Sequence, residues 1–201
     1  IYKQLGVGEI LMFDSRGLVN DTRTDLNAIK KEFISHEKFA TFKEALKGAD
    51  VLLGLARANL IQPEDIADMN KDPMVFAMSN PVPEIMPEVA KAARADVLMA
   101  TGRSDYPNQI NNVLGFPYIF KGALRVRASC INEEMKLAAA HSLAELARFD
   151  VPHELSVMFG KDLHFGREYL IPSAFDPRLN EFVSGAIAKA AVESKVSRLE
   201  L

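Results

Sequence analysis

Four short apolar runs separated by amphipathic stretches constrain the fold of this chain more than any other feature. The runs occupy residues 9–14, 49–55, 73–79 and 95–100. Each is nearly continuous in apolar character, which is typical of parallel strands covered on both faces. Between the runs, segments that open with proline or a capping residue are predicted to be helices, at residues 26–33, 42–46, 63–69 and 83–93. The alternation predicts an α/β fold with a doubly wound, mostly parallel sheet and helices on both faces.

The second half of the chain, after Ala100, is predicted to be a polar loop followed by helices. The helices are expected at residues 113–124, from Asn132 onward, and at residues 181–196. Asn132 is a plausible cap, with Glu133 and Glu134 in the first turn of its helix. The sequence contains no internal repeat and no linker long enough to separate two domains, so residues 1–201 are predicted to form one dinucleotide-binding domain.

The start of the chain reads as the last turn of a helix, residues 1–6, with Gly6 as its terminator. Gly6-Val7-Gly8 precedes a predicted strand, whereas a dinucleotide fingerprint follows one and opens a helix. In a doubly wound sheet, the first strand and its phosphate-binding glycine turn would therefore lie before residue 1. We expect the functional polypeptide to be longer, and this segment alone to be marginally stable because two sheet edges would be unpaired.

Composition argues against several classes of partner. The chain has 24 basic and 27 acidic residues, a formal net charge of -3, and no long block of either sign, so binding to nucleic acid or to an anionic membrane is not expected. No apolar run approaches the roughly 20 residues that span a bilayer. The single cysteine, Cys130, cannot form an internal disulfide, which favours a cytoplasmic location.

Neither the cysteine nor the histidines form a pattern typical of a catalytic or metal site. Cys130 has no activating neighbour and is predicted to be a buried small residue. The histidines lack metal-binding spacing and are predicted to have surface or packing roles; they are His36, His141, His153 and His164.

Asp14 ends the first apolar run, where a doubly wound sheet places the carboxylate that accepts hydrogen bonds from the adenosine ribose of a dinucleotide. A turn aspartate within residues 14–17 explains the local pattern equally well. Arg16 leaves a third interpretation open, because a cation at this point could receive the 2'-phosphate of NADP.

Small or polar residues also follow the second and third apolar runs. Gly54, Leu55 and Ala56 would let the backbone approach a cofactor, although a tight strand-to-helix turn accounts for them equally well. Ser79 and Asn80 precede a proline, and an asparagine amide can both donate to and accept from a ligand. The alternative is that this pair caps the next helix.

Amides are concentrated in the loop at residues 100–112, which follows the fourth run. Loops at the carboxyl ends of strands are where ligand-contacting groups gather in this architecture. Asn111 and Asn112 begin a predicted helix, so one of them could instead be its cap.

Five segments, in this order, resemble the cofactor-binding domain of bacterial malic enzymes. The last of them is most similar to the large NADP-type members that carry a phosphotransacetylase-like extension. The segments are SNPVPEI (79–85), ATGRSDYPNQINNVLGFPYIF (100–120), KGALRVRA (121–128), INEEMK (131–136) and YLIPSAFDPRL (169–179).

The resemblance implies a Rossmann-type fold and oxidative decarboxylation of L-malate to pyruvate and carbon dioxide, with NADP or NAD reduced and Mg²⁺ or Mn²⁺ assisting. It places the proton-transferring lysine and tyrosine and the acidic metal ligands before residue 1, so no catalytic or metal residue is expected within the chain. The residues that would bind the substrate are Asn80 and Asn112. The residues that would bind the cofactor are Asp14, Ser15, Arg16, Gly54, Leu55, Ala56, Ser79, Asn80 and Asn111.

The resemblance also implies a homo-oligomer and the possibility of a carboxy-terminal phosphotransacetylase-like domain. Two other functions remain open. A non-catalytic nucleotide-sensing module would keep the fold without the acid, base and metal ligands. A malolactic-type enzyme would form lactate without releasing reduced cofactor.

Overall fold

The computed structural model describes residues 1–199, which fall into two compact units. The amino-terminal unit comprises residues 2–100, and the carboxy-terminal unit starts at Thr101. Each unit has its own hydrophobic core: one includes Ile66 and Val75, and the other Met135 and Ile187. The assignment of residues 1–201 to a single dinucleotide-binding domain stays a prediction.

The last three of the four apolar runs form a three-stranded sheet, in which their order across the sheet is the same as their order along the chain. The strands are β3 (Val51–Gly54), β4 (Met74–Ala77) and β5 (Leu98–Thr101). β3 and β4 are parallel, with Gly54 opposite Ala77. Helices α2 (Phe42–Leu46), α3 (Pro63–Ile66) and α4 (Pro87–Ala93) alternate with them along the chain, as the predicted α/β fold requires.

The prediction of a sheet strand at residues 9–14 is wrong for most of its length. Only β1 (Phe13–Asp14) is extended in a ladder, and it pairs antiparallel with β2 (Gly17–Leu18) in a separate two-stranded ribbon. The cause is local turn chemistry, because Gly17 has a φ of +98° and the Arg16 N–H donates to Asp14 Oδ1 at 2.9 Å. Among residues 1–199, residues 9–12 belong to no strand.

Strand β3 is open on one face, contrary to the expectation that it is covered on both. Val51 and Leu53 are 43% and 36% exposed, whereas the alternating Leu52 and Gly54 are buried. The reason is that the described core of this unit contacts only one face of β3, and side chains alternate between the faces of a strand. An unbroken apolar run in the sequence does not by itself distinguish a strand that is covered on both faces from one that is covered on a single face.

Several helices differ in extent from their predicted ranges. Helix α1 is short (Ala28–Lys31), with Asn27 Oδ1 accepting from the Lys30 N–H, and α4 starts at Pro87 and not at Pro83. The predicted helix at residues 113–124 is divided into a 3₁₀ helix (Asn112–Leu114) and α5 (Tyr118–Arg125). Pro117 separates the two because it has no N–H to donate within a continuous helix.

The remaining helices belong to the carboxy-terminal unit. They are α6 (Glu133–Leu146), α7 (His153–Phe159) and α8 (Leu179–Glu193). The predicted cap of α6 is confirmed, since Asn132 Oδ1 accepts from the Met135 N–H at 3.1 Å. Helix α7 was not predicted from the sequence.

The prediction for Gly6 is confirmed, and the prediction for Cys130 is wrong. Gly6 ends a helical turn, with a φ of +84° and the Val7 N–H donating to the Tyr2 carbonyl at 3.2 Å, as expected for a glycine terminator. Cys130, predicted to be buried, is exposed. It lies in the connection between α5 and α6, outside the faces that those helices bury.

Candidate functional site

The loops that follow β3 and β4 are tied together by a buried carboxylate, Glu84. Its side chain is fully buried, and both of its oxygens accept hydrogen bonds from backbone N–H groups. Oε1 accepts from Ala56 at 2.8 Å, in the loop after β3, and Oε2 accepts from Ser79 at 2.9 Å, in the loop after β4. Glu84 therefore fixes the backbone of two predicted cofactor-binding segments at the carboxyl edge of neighbouring parallel strands.

Gly54 is required by this arrangement. A Cβ at this position would lie 2.7 Å from Glu84 Cδ and 2.9 Å from Glu84 Oε2, closer than real Cβ atoms approach other groups. Because glycine has no side chain, Gly54 leaves room for the Glu84 carboxylate. This contact was not predicted from the sequence. The following residues, Leu55 and Ala56, are exposed.

Asn80 is exposed next to the half-buried Ser79. It does not cap the next helix, because α4 begins at Pro87 with Met86 in the cap position. The peptide bond between Asn80 and Pro81 is cis. The capping alternative for this pair is therefore excluded, and the accessible amide favours contact with a ligand.

The paired asparagines of the carboxy-terminal unit have different roles. Asn111 Oδ1 accepts from the Val113 N–H at 3.1 Å, so its side chain caps the 3₁₀ helix. Asn112 is the first residue of that helix and is exposed. The Asn112 side chain is therefore not used in the cap of the 3₁₀ helix. The assignment of the two asparagines to substrate and cofactor remains a prediction.

Asp14 lies at the centre of a cluster of charged side chains. Its Oδ1 accepts from the Arg16 N–H at 2.9 Å and from Arg23 Nη1 at 2.8 Å, and its Oδ2 accepts from Arg23 Nη2 at 3.0 Å and from Lys30 Nζ at 2.5 Å. A carboxylate has about four acceptor sites, and all four are used here. The hydrogen bonds from Arg23, then those from Lys30 and Arg16, hold the pKa of Asp14 well below its usual range.

Arg16 and Arg23 differ strongly in accessibility. The Arg23 side chain is 10% exposed and contacts both Asp14 and Asp25, which raise its pKa. The Arg16 side chain is 69% exposed and contacts Asp25 through Nη1 at 2.9 Å. Ser15 lies exposed in the turn between β1 and β2. Arg16 is therefore the most exposed cation of this cluster.

The ion pair between Arg23 and Asp25 predicts a pH effect. The hydrogen bond from Arg23 lowers the pKa of Asp25 from 3.8 to about 2, so the pair stabilises the fold above pH 3.8 and this contribution is lost as the pH falls toward 2. In Arg23→Gln, the Asp25 carboxyl should titrate closer to 3.8, and stability should depend less on pH in this window. NMR titration of the carboxyl carbon measures this, and an unchanged midpoint in the variant would contradict the assignment.

The described residues show neither a metal cluster nor a membrane-spanning helix. Residues 1–199 contain no group of three or more histidine, cysteine, aspartate or glutamate side chains placed to hold a metal ion. The four histidines are exposed, and His36 Nδ1 lies 3.0 Å from Asp21 Oδ2. None of the described helices is both long and apolar enough to cross a bilayer.

A family model described as "Malic enzyme, NAD binding domain" matches residues 3–159. This chain belongs to the malic enzyme family. The match covers the loops after β3 and β4, the charged cluster around Asp14 and the paired asparagines, and it confirms the resemblance drawn from the sequence. Most of the chain thus corresponds to the NAD-binding domain of a malic enzyme.

Known malic enzymes are similar to this chain in both sequence and structure. The NADP-dependent malic enzyme of Halomonas elongata is 51% identical over 190 residues, which cover 94% of this chain and 45% of that protein. The enzyme of the same name from Escherichia coli is 44% identical over 191 residues, which cover 94% of this chain and 25% of that protein. This chain therefore spans less than half of these relatives.

Solved malic enzyme structures confirm the Rossmann-type α/β fold. The structure from Entamoeba histolytica matches with a TM-score of 0.82 and 35% identity, over 94% of this chain and 38% of that one. The NAD-dependent malic enzyme of Thermotoga maritima matches with a TM-score of 0.77 and 36% identity, over 92% of this chain and 46% of that one.

Proposed function

We propose that this chain is the cofactor-binding part of a malic enzyme that converts L-malate to pyruvate and carbon dioxide while reducing NADP or NAD. The observation that carries the proposal is the match of residues 3–159 to the NAD-binding domain of this family. It is supported by geometry, because the loops after β3 and β4 present exposed residues, including the Asn80 amide, at the carboxyl edge of parallel strands, where such sheets bind dinucleotides.

The residues of the chain would bind and orient the reactants. The backbone at Leu55 and Ala56 would approach the dinucleotide, and the Asn80 amide could donate to a carboxylate and accept from a hydroxyl or carboxamide. The resemblance assigns Asn112, an exposed amide of the carboxy-terminal unit, to the substrate as well. An amide is too weak an acid or base to carry the proton transfers, so both asparagines would act as orienting groups.

The divalent cation of the proposed reaction is not accounted for by these residues. Residues 1–199 offer no cluster of three metal-ligating side chains, and the described side chains therefore do not fit Mg²⁺ or Mn²⁺. The chain's proposed contribution is confined to the nucleotide and to the orientation of malate.

A turnover assay on the full-length protein tests this function. With L-malate, Mn²⁺ and NADP or NAD, we expect pyruvate and reduced nicotinamide to form in equal amounts.

A curated relative named as a bifunctional malic/malolactic enzyme, from Bacillus subtilis, is 45% identical over 199 residues. Lactate without net reduced cofactor would therefore favour the malolactic alternative. Nucleotide binding without turnover would favour a sensing module.

The charged cluster favours NADP over NAD. The Asp14 carboxylate has no acceptor site left for ribose hydroxyls, because four donors occupy it. Arg16, in the turn after β1, and Lys30, on α1, are cations of the cluster around Asp14, and a 2'-phosphate would find its charge partners there. We therefore propose that Arg16 receives the 2'-phosphate of NADP.

Arg16→Ala tests the cofactor choice. The variant should raise KM for NADP about tenfold, as expected for the loss of one charge-assisted hydrogen bond to the 2'-phosphate. KM for NAD should be unchanged, because NAD has no 2'-phosphate. Lys43→Ala removes an exposed cation from α2 in the same unit and is the control for a general loss of positive charge. Steady-state kinetics with both cofactors measures the difference. Equal changes for NADP and NAD would contradict the assignment.

Three further properties belong to the proposal. The lone cysteine favours a cytoplasmic location, since it offers no internal disulfide. The resemblance favours self-association and, in the large NADP-type members, a carboxy-terminal phosphotransacetylase-like domain. The chain spans only 25% of the Escherichia coli relative, which leaves room for such a domain in a protein of similar length.

A further inference from the structure

Burial of the Glu84 carboxylate has to be balanced by specific hydrogen bonds. A charged group is costly to remove from water unless donors replace its hydration. Here the donors are the Ala56 and Ser79 N–H groups, at 2.8 and 2.9 Å. Each oxygen accepts from a different loop, so the side chain bridges two segments that are 23 residues apart in sequence.

Backbone hydrogen bonds of Glu84 and its neighbour Pro83 also tie this segment to the loop after β3. The Glu84 carbonyl oxygen accepts from the Ile61 N–H at 3.0 Å, and the preceding Pro83 carbonyl accepts from the Asn59 N–H at 3.1 Å. The segment that contains Glu84 therefore contacts the loop after β3 at several points. The loop after β4, which carries Asn80, is tied to this assembly by the bond from Ser79 to Oε2.

We propose that Glu84 is a positioning residue for dinucleotide binding, which acts by holding the loops after β3 and β4 in one arrangement. The inference rests on the proposed function, because it assigns those two loops to the cofactor. Glu84 is fully buried and its two oxygens accept from backbone N–H groups, so its proposed role is to hold the loops and not to bind the nucleotide itself. It fixes the exposed residues Leu55 and Ala56 relative to the Asn80 amide, so that these residues and the amide can meet the same ligand without first being ordered.

The chemistry of the bridge requires a carboxylate. A carboxylate accepts at both oxygens, whereas a glutamine amide accepts at one end and donates at the other. In Glu84→Gln, one backbone N–H would face an NH₂ group and would lose its acceptor inside the protein. An unsatisfied buried donor of this kind weakens the arrangement it belongs to. The volume of the side chain is almost unchanged, so packing is preserved.

Glu84→Gln in the full-length protein is the principal test. We expect the Kd for NADPH, measured by fluorescence titration, to rise about tenfold to a hundredfold, as for loss of a hydrogen bond to a charged group. KM for NADP should rise with it, whereas kcat at saturating NADP should stay within about threefold of wild type, because the reacting groups are intact. Glu64→Gln changes an exposed glutamate of α3 and is the matched control.

Gly54→Ala tests the same bridge from a second residue. The new Cβ would collide with Glu84 Cδ and displace the carboxylate without altering its charge. We expect the same rise in Kd as for Glu84→Gln, and the double variant should be little worse than either single one, because both break one interaction. If Glu84→Gln does not fold, Glu84→Asp keeps both acceptor oxygens on a shorter side chain and should show a smaller rise in Kd.

Hydrogen exchange distinguishes positioning from a general loss of structure. In the variants, protection should fall at the Ala56 and Ser79 amides and persist in β3 and β4. Uniform loss of protection over residues 2–100 would overturn the positioning role. Unchanged NADPH affinity in both folded variants would overturn this inference and leave the proposed function in place. Failure of the wild-type protein to bind NADPH would instead overturn the proposed function and, with it, this inference.

Discussion

Gly122→Ala should lower the free energy of unfolding of the carboxy-terminal unit by about 3 kcal/mol or more, at the upper end of what overpacking costs. Gly122 lies in α5 where that helix crosses α8. A Cβ there would be 2.5 Å from the Ser184 carbonyl oxygen and 2.6 Å from Ile187 Cβ. Neither atom belongs to the far end of a flexible side chain, so α5 and α8 would have to separate.

Gly185→Ala is the matched control for this prediction. It lies on α8 next to the contact, and a Cβ there meets no other described atom within 4 Å. Alanine in a helix is favoured over glycine by about 0.5–1 kcal/mol, so this variant should be slightly more stable than wild type. Urea unfolding of both variants measures the contrast. Equal stability of the two would contradict the close packing of α5 on α8.

Asn80→Asp should reduce kcat/KM for malate about a hundredfold, a loss comparable to removing one donor that stabilises a reacting oxyanion. The substitution keeps the shape of the side chain but replaces its N–H donors with a negative charge, which would repel the carboxylates of malate. Asn80 is exposed and caps no helix, so the fold should be unaffected.

Asn27→Asp provides the control for the same chemical change. Asn27 is exposed in the same unit and caps α1, a position where aspartate serves as well as asparagine. This variant should retain wild-type kinetics. Steady-state assays of both proteins measure the difference. Wild-type kcat/KM in Asn80→Asp would show that Asn80 does not contact the substrate.

The elements that could be predicted from the sequence are those whose causes are local. Strands β3 and β4 lie within the predicted apolar runs, β5 begins within the fourth run and ends one residue beyond it, and α6 begins after its predicted cap, Asn132. The errors arose where a local feature outweighs the wider pattern. The turn closed by Gly17 converts the first run into a short ribbon, and Pro117 divides a helix whose apolar pattern continues across it.

Only those residues of the site that come directly after a predicted strand could be predicted from the sequence. The accessible amide of Asn80 could be expected from its place after an apolar run, and the structure excludes the capping alternative for it. Glu84 could not be found in this way, because its role depends on two loops that meet only in the folded sheet. An acidic residue between Pro83 and Ile85, just after a buried strand, was the one available signal.

The central claim is that a dinucleotide binds at the carboxyl edge of β3 and β4, against the loops that Glu84 holds. The most direct measurement is an experimental structure of the full-length protein with NADP bound. We predict that NADP contacts the backbone at Leu55 and Ala56 and the side chain of Asn80, with its 2'-phosphate at Arg16. A nucleotide bound elsewhere on residues 1–199, with those loops empty, would contradict the account.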